Sequence, residues 1–376
     1  MKSNYRRIGD YVREVKIRNK DLSITDLRGI NIDKYFMPSV ANTIGTDMSK
    51  YKVVKKGQFA CNRMHVGRDK RLPVALHKEN ESIIVSPAYT VFEITDESVL
   101  DPEYLMMWFS RNEFDREAWF YTDSDVRGGL SLDDFFDIKI PLIPIKQQEE
   151  IVAEYNIIFN RIKLNEKIIE KLEVTVQSIY YNIFKNDEEL EVEELENYVE
   201  TNPKVSIKKG SIVKHVEMSE LSTKNMTINN YVKKAFNGGI KFKNNDTLLA
   251  RITPCLENGK TAFVNILEDN EIASGSTEFI VMRAKETISP YWVYCLARDI
   301  DFREYAISSM VGSSGRERVD ESYLMRYKVR KININSMNNF HNTVSVLFNF
   351  IKLKSIENKK LYDMKYMLLL KISKMG

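Results

Sequence analysis

The sequence predicts an α+β protein in which two duplicated α/β globular units are joined by two long helices that form an intramolecular coiled coil. Three observations predict this class: a heptad pattern near the middle of the chain, an internal repeat at a shift of 187–189 residues, and mixed strand and helix patterns in each repeat. With 376 residues and 43% hydrophobic content, the chain can form two or more domains. We expect globular units at 1–145 and 187–335, and long helices at 146–186 and 336–376.

The central helix is predicted from the spacing of its apolar residues. Steps of four and three residues continue without a break through 151–184, which is the heptad period. The seam residues are Ile151, Tyr155, Ile158, Ile162, Asn165, Ile169, Leu172, Val176, Ile179 and Ile183. A seam this narrow requires a partner helix. A polar residue at a core position, such as Asn165, is typical of a residue that fixes register, although an Asn exposed on a bent helix would give the same pattern.

The internal repeat supplies the partner helix. The stretch "RIKLNEKIIEKL" (161–172) aligns with "FIKLKSIENKKL" (350–361), and Asn165 aligns with Lys354. The second seam comprises Phe340, Val344, Leu347, Ile351, Lys354, Asn358, Leu361, Lys365, Leu368 and Ile372. We expect the two helices to pack against each other within one molecule. The repeat is compatible with an antiparallel or a parallel pair, and we prefer the antiparallel one.

Each globular unit combines strand and helix patterns. The stretches 82–94 and 276–284 are rich in β-branched and aromatic residues and predict strands. The stretches 101–120 and 289–307 open with Asp-Pro and Ser-Pro, which predicts a helix start in each. Short strands and polar loops are expected in the remainder of each unit.

Composition excludes several classes of protein. The formal net charge is +3, and residues 336–376 carry seven basic against two acidic side chains, so a polyanion-binding surface is allowed but not required. Cys61, Cys255 and Cys295 lie far apart and lack CxxC spacing, which argues against disulfides and a zinc site. No stretch predicts a membrane span or a signal peptide, so we expect a cytoplasmic protein.

The sequence also lacks the catalytic motifs that a nucleic-acid enzyme would carry. It contains no GxGxxG or GxxxxGK[ST] phosphate loop and no HExxH. Its one Asn-Pro dipeptide, at 202–203, lacks the aromatic residue with which an amino-methyltransferase stacks a flipped base. We therefore expect no catalytic residues, no cofactor and no bound metal.

Four blocks of sequence resemble the specificity (HsdS) subunits of type I restriction-modification systems. These blocks are "IKIPLIPIKQQEEIVAEYN" (138–156), "NPKVSIKKG" (202–210), "NNDTLLARITPCLENGKTAFV" (244–264) and "GSSGRERVDESYLMRYKV" (312–329). The resemblance covers essentially the whole chain, with its elements in the same order. One departure is that the second helix follows "RKININSMNNF", which lacks the Pro and Gln-Glu pattern that precedes the first helix.

The resemblance implies a non-catalytic subunit that recognises DNA. Each globular unit would be a target-recognition domain that reads one half of a bipartite double-stranded site. The helix pair would set the spacing and dock two modification (methyltransferase) subunits, joined by restriction subunits in the full complex. The outer face of the first helix offers residues for docking, and we expect them to be free for contacts: Glu154, Arg161, Lys163, Glu166 and Glu170.

Candidate DNA-binding residues lie on two loops in each unit, where Arg, Lys, Asn and hydroxyl side chains could read base edges. In the first unit they are Asn62, Arg63, His65, Arg68, Lys70 and Arg71 in 61–73, and Arg127 in 124–131. In the second unit they are Arg251, Thr253, Asn258 and Lys260 in 250–260, and Ser313, Ser314, Arg316 and Arg318 in 312–319.

Two other classes of function stay open at the level of sequence. A coiled-coil scaffold with two protein-binding heads would share the seam and differ in DNA affinity. A stand-alone DNA methyltransferase or nuclease would require a cofactor or catalytic site that the motifs do not indicate.

Overall fold

The computed structural model describes residues 4–40, 45–64, 66–122, 128–185 and 191–374. The chain divides into two compact units. The first unit is Met1–Arg161 together with Leu361–Gly376, and the second unit is Ile162–Lys360. Each long helix therefore contributes one part to each unit.

The first unit contains ten short strands, four short helices and the beginning of the first long helix in its described residues. In chain order these are β1 (Tyr5–Arg7), β2 (Val12–Val15), β3 (Arg28–Ile30), β4 (Phe36–Pro38), β5 (Lys52–Val54), β6 (Phe59–Cys61), α1 (Val66–Asp69), β7 (Val74–Leu76), β8 (Ile83–Val85), β9 (Thr90–Ile94), α2 (Pro102–Phe109), α3 (Asn112–Phe120), α4 (Leu132–Asp137), β10 (Lys139–Pro141) and α5 (Ile145–Phe184).

The second unit repeats this order with small differences. Its elements are β11 (Val192–Glu194), β12 (Val199–Thr201), β13 (Ile212–Val216), β14 (Val232–Ala235), β15 (Ile240–Phe242), β16 (Thr247–Ala250), β17 (Thr261–Phe263), β18 (Ala273–Gly275), β19 (Phe279–Ala284), α6 (Pro290–Arg298), α7 (Ile300–Ser308), α8 (Glu321–Leu324), β20 (Lys328–Arg330) and α9 (Ile334–Ser373).

The strand order confirms that the two units are copies of one fold. The first unit has an antiparallel sheet of order β2-β9-β6-β7, and the second has β12-β19-β16-β17, also antiparallel throughout. Each unit also pairs its first strand with the last strand before its long helix, as β1-β10 and β11-β20. Because equivalent strands pair in the same order, the two sequences specify the same topology despite their divergence.

A second sheet differs in extent between the units. In the second unit it is continuous, with order β14-β13-β18-β15 and a parallel β13–β18 pair. In the first unit β3-β4 and β5-β8 are separate ladders, linked through a parallel bridge between Leu27 and Ile84. The order of the strands is the same, but fewer residues of the first unit maintain the ladder.

Each stretch that was predicted as helix after the main sheet is divided into two helices in the structure. The stretch 101–120 forms α2 and α3, and 289–307 forms α6 and α7. Asp101 caps α2 by accepting from Tyr104 N at 2.8 Å, as the Asp-Pro start predicts. The break between α6 and α7 falls at Asp299, which accepts from Phe302 N at 3.1 Å and so starts a new helix.

The helices α5 and α9 pack antiparallel within the second unit. The Asn165 amide donates to Asn358 Oδ1 at 2.9 Å near one end, and the Phe184 and Phe340 rings lie 5.2 Å apart at the other. Asn165 is buried, so it occupies a core position as the heptad pattern predicts. Its structural partner is Asn358, whereas Lys354, with which it aligns in the repeat, pairs with Glu357 at 2.8 Å. The predicted fold class is therefore confirmed.

The predicted α5 seam is wrong at its end, because the buried face of the helix there lies one residue away from the predicted positions. Ile183 is 40% exposed, while Glu173 and Tyr180 are buried. The cause is that this part of α5 packs against the core of the second unit as well as against α9. The Glu173 carboxylate accepts hydrogen bonds from Met226 N at 2.5 Å and from the Tyr294 hydroxyl at 3.1 Å, which turns that face of the helix inward.

Within the first unit, the start of α5 and the end of α9 share one core. Ile151 and Ile372 are buried in the same apolar cluster, which also includes Trp108 of α2. Helix α5 starts six residues before the predicted seam because buried Gln148 anchors its first turns. The Gln148 side chain accepts from Asp101 N at 2.9 Å and donates to Ile143 O at 2.7 Å.

Candidate nucleic-acid interface

The two predicted loops of the first unit lie against each other where the structure describes them. Residues 62–71 follow β6, and residues 128–131 precede α4. Gly67 N donates to Gly128 O at 2.8 Å, and Leu130 N donates to Arg63 O at 3.0 Å. A Cβ atom on Gly67 would lie 2.8 Å from Gly128 Cα, so this close approach requires glycine.

The second unit brings its two loops together with the same hydrogen bond. Residues 251–260 follow β16, the counterpart of β6, and residues 311–319 precede α8. Val319 N donates to Arg251 O at 2.9 Å, as Leu130 N does to Arg63 O. A further bond from Thr253 N to Glu317 O at 3.1 Å extends the contact. The repeat therefore places one pair of loops at the end of the equivalent strand in each unit.

Two candidate residues of the first unit hold their own loop. Arg63 is half-buried, and its guanidinium donates to Thr90 Oγ1 at 3.0 Å and to the carbonyl of Leu130. Asn62 accepts from Met64 N at 3.2 Å, which closes an Asx turn. These side chains are used within the protein, so their first role is to shape the loop.

The other described candidates in this loop are exposed. Arg68 pairs with Asp69 at 2.7 Å, and Arg71 pairs with Asp33 at 3.3 Å. Lys70 lies 4.7 Å above the Trp119 ring. Surface ion pairs of this kind contribute little to stability and exchange readily for other anions. The candidates His65 and Arg127 lie outside the described residues.

The second unit divides its candidates in the same way. Arg251 donates to Glu321 at 3.2 Å, Thr253 donates to Glu317 at 2.8 Å, and Lys260 donates to Met218 O at 2.8 Å. These three half-buried side chains brace the loops. Asn258, Ser313, Ser314 and Arg316 are exposed.

Arg318 has a partner that the sequence does not reveal. Its guanidinium makes a forked contact with Glu278, with distances of 2.9 and 2.7 Å. Arg318 holds the pKa of the Glu278 carboxyl below its usual range. Arg316, two residues away, makes no ion pair with any residue that the structure describes, so the two arginines differ in availability.

The outer face of α5 departs from the prediction. Lys163 and Glu166 pair with each other at 2.9 Å, so they are not free. Glu154, Arg161, Lys163 and Glu170 are exposed, and Glu166 is half-buried. No group of three or more His, Cys, Asp or Glu side chains among the described residues could hold a metal ion. Likewise, within those residues no helix has the length and apolarity needed to cross a membrane.

Sequence reasoning missed a basic surface in the second unit. Exposed lysines lie on and beside β14 and in the turn before β13: Lys208, Lys209, Lys233 and Lys234. The available signal was local charge, since residues 204–243 contain nine Lys and two Glu. Averaging charge over a whole unit conceals this segment.

Comparison with known proteins supports the resemblance noted in the sequence. The specificity subunit of the type I restriction enzyme EcoAI of Escherichia coli is 30% identical over 131 residues, covering 33% of this chain and 22% of that protein. The match thus spans about a fifth of the relative's length. No family model matches the chain.

Solved structures extend the comparison to the fold. The type I restriction-modification S subunit of M. genitalium aligns with a TM-score of 0.59 and 13% identity, covering 98% of this chain and 95% of that one. The HsdS subunit of Thermoanaerobacter tengcongensis aligns over the same share of each chain, with a TM-score of 0.38 and 12% identity. The alignment with the M. genitalium protein shows that this chain has the fold of that S subunit, and the resemblance predicted from the motifs is confirmed.

Proposed function

We propose that this chain is the sequence-specific DNA-recognition subunit of a type I restriction-modification complex in the cytoplasm. Each unit would read one half of a bipartite site. The observation that carries the proposal is the repeated loop pair, joined by Leu130 N to Arg63 O in one unit and by Val319 N to Arg251 O in the other. Because the same loop pair occurs once in each unit, the chain could bind a DNA site that has two separate halves.

Exposed side chains on these loops would read the bases. Arg and Lys can donate to the acceptors of guanine in the major groove, and Asn can form two hydrogen bonds with one adenine. In the first unit the exposed donors are Arg68, Lys70 and Arg71, and in the second they include Asn258 and Arg316. Arg63, Arg251, Thr253 and Lys260 would act indirectly, because they hold the loops in shape.

The helix pair would set the distance between the half-sites and dock two modification subunits, with restriction subunits completing the complex. Each long helix has 40 residues, and at about 1.5 Å per residue its length is roughly 60 Å. The chain itself would perform no chemistry, since its sequence lacks cofactor and catalytic motifs. Methyl transfer and cleavage would belong to its partners.

The proposal is tested by sequencing the methylated positions of DNA in cells that express this chain together with its modification subunits. We expect methylation at a bipartite sequence with a non-specific spacer, and none when either component is omitted. Methylation by the chain alone would indicate an enzyme. Assembly with the partners that leaves methylation independent of this chain would instead indicate a protein-binding scaffold.

A further inference from the structure

We propose that the second unit contains a separate, sequence-independent binding site for the DNA phosphate backbone, on a surface that we call the basic arm. The basic arm consists of residues 208–216 and 232–239, which include β13 and β14. This inference rests on the proposed function, because it names a second DNA contact in the same unit. It differs from the reading loops in location and in chemistry.

The basic arm projects from its sheet. β14 is an edge strand, paired through Ile212–Ala235 and Val213–Lys234 to β13, and all four of its residues are exposed. Neighbouring side chains on a strand point to opposite faces, so both faces of β14 are open. Ile212 is 68% exposed, whereas His215 at the other end of β13 is buried. The outer end of the arm is therefore where 208–212 and 235–239 meet.

Two lysines at this outer end have no acidic partner among the described residues. Lys208 and Lys209 are exposed and form no ion pair with any residue in the described part of the chain. Lys233 is also exposed, but it lies opposite Lys214 on β13, and together with Lys214 its charge lowers the pKa of the Glu271 carboxyl. Lys234 differs, since it pairs with Glu217 at 3.1 Å. Lysines without an acidic partner on an exposed turn provide the point charges that bind phosphate and release counterions.

The outer end also has open space beside two glycines. Gly210 and Gly238 have φ values of +85° and +156°, and a Cβ atom on either would meet no atom within 4 Å. Space is therefore open beside both glycines, although Gly210 N already donates to Phe236 O at 2.9 Å. Phosphate contacts from lysine and exposed backbone carry no base information, so the arm would anchor DNA rather than read it.

The equivalent strands of the first unit lack this free charge. Arg28 on β3 is bonded to Asp26 at 2.6 and 2.8 Å. Lys34, between β3 and β4, pairs with Asp115 at 2.7 Å, and its side chain is 7% exposed. Acidic partners thus neutralise these two cations of the first unit, whereas Lys208 and Lys209 of the second unit form no ion pair among the described residues.

Backbone hydrogen bonds connect the sheet of the basic arm to the reading loops. Ser276 N donates to Val216 O at 3.1 Å at the end of β13. Two residues later, Glu278 O accepts from Arg251 N at 3.0 Å, and the Glu278 carboxylate binds Arg318. Phosphate binding at the arm would therefore help to position the loops of the same unit on the duplex.

The test measures how salt affects binding of the full chain to a fluorescent 50-base-pair duplex of random sequence. One variant combines Lys208→Gln, Lys209→Gln and Lys233→Gln. We expect the slope of log affinity against log salt to fall by about 2–3, since each lost phosphate contact contributes about 0.9. Affinity at 0.1 M salt should fall by roughly 10²-fold or more. Replacing the same lysines with Arg should preserve both quantities.

A matched control removes the same charge elsewhere. Lys146, Lys167 and Lys360 are exposed on the long helices, and changing these three to Gln should leave the slope nearly unchanged. An equal fall in both variants would mean that net charge alone matters and would overturn the basic arm. A wild-type slope in the arm variant would also overturn it, while leaving the proposed function intact. If the wild-type chain binds no duplex, the proposed function fails and the inference fails with it.

Discussion

At the scale of single residues, neighbouring arginines on the loop 311–319 have different roles. Arg316 is exposed without an ion pair among the described residues, whereas Arg318 is bound to Glu278. We therefore expect Arg316→Ala to relax base preference in one half of the methylated site, with a cost of about 1–3 kcal/mol if it contacts a guanine edge. Sequencing of methylated positions measures the effect, and Arg326→Ala, also exposed in this unit, is the control.

The pattern of loss identifies the contact that Arg316 makes. A base contact should relax one half-site and leave the other half-site and the spacer unchanged. Weaker methylation at every site, with no change in sequence preference, would assign Arg316 to phosphate instead. Equal relaxation of both half-sites would contradict independent reading by the two units.

Glu173 should make stability depend on pH. Burial raises the pKa of its carboxyl from the ordinary 4.5 to about 7, so the folded chain retains a proton that the unfolded chain releases. Stability should fall as pH rises from about 4.5 to about 7 and then level off, with a loss of at most about 3 kcal/mol from this group. Nearby Arg298 favours the charged form and moderates the shift.

The substitution Glu173→Gln tests this dependence. The amide oxygen can still accept from Met226 N, and the side chain no longer ionises. Relative to wild type, the variant should become more stable as pH rises through the same window, as measured by urea denaturation at pH 5, 6, 7 and 8. The exposed Glu170→Gln is the control. If the difference in unfolding free energy between Glu173→Gln and wild type stays constant with pH, Glu173 is not the group that makes stability depend on pH.

At the scale of elements, we expect the buried Asn165–Asn358 pair to determine how α5 and α9 align in the second unit. Asn165→Leu would leave the Asn358 amide without its partner in an apolar seam, which should cost about 1–3 kcal/mol. Changing both to Leu should recover that loss and give a coupling energy of about 0.5–3 kcal/mol. Urea denaturation of the two single variants and the double variant measures it.

The double variant should also lose specificity of pairing, because a uniformly apolar seam permits other registers and partners. Size-exclusion chromatography should then detect oligomers that the wild-type chain does not form. Asn160→Leu, on an exposed face of α5, is the control and should change stability by less than about 0.5 kcal/mol. Additive effects of the two core substitutions would show that the pair has no special role.

The elements themselves were largely predictable from the sequence, because their signals are local. Heptad spacing located the first long helix, the repeat located the second, and Asp101-Pro102 marked the start of α2. The signals failed where distant segments decide the outcome. Glu173 became a core residue because Met226 and Tyr294 supply its hydrogen bonds, and these residues are remote in sequence.

The candidate site was predictable as loops but not as individual contacts. The repeat located both loop pairs, since equivalent positions of a duplicated fold lie at equivalent places. The division between bracing and exposed residues depends on carboxylates contributed by other segments, such as Glu278 for Arg318 and Glu321 for Arg251. No pattern around either arginine signals these partners.

At the scale of the whole molecule, the antiparallel pairing determines how the proposed ruler can be lengthened. Four residues added to α5 alone would prevent the Asn165–Asn358 pair and the shared packing of Ile151 with Ile372 from keeping register together, because the two helices would differ by about one turn between them. Four residues must therefore be added to both helices, between 161 and 162 and between 360 and 361. Each insertion lengthens its helix by about 6 Å, or just under two base pairs at 3.4 Å each.

The paired insertion should lengthen the spacer of the methylated site by about two base pairs and leave both half-sites unchanged, because the reading loops are untouched. A four-residue insertion is a stutter, which a coiled coil accommodates by local unwinding. The insertion in α5 alone is the control and should lower stability without producing a new spacer length. Methylation mapping of a stable, paired-insertion chain that still showed the wild-type spacer would mean that the helices do not set the distance between half-sites.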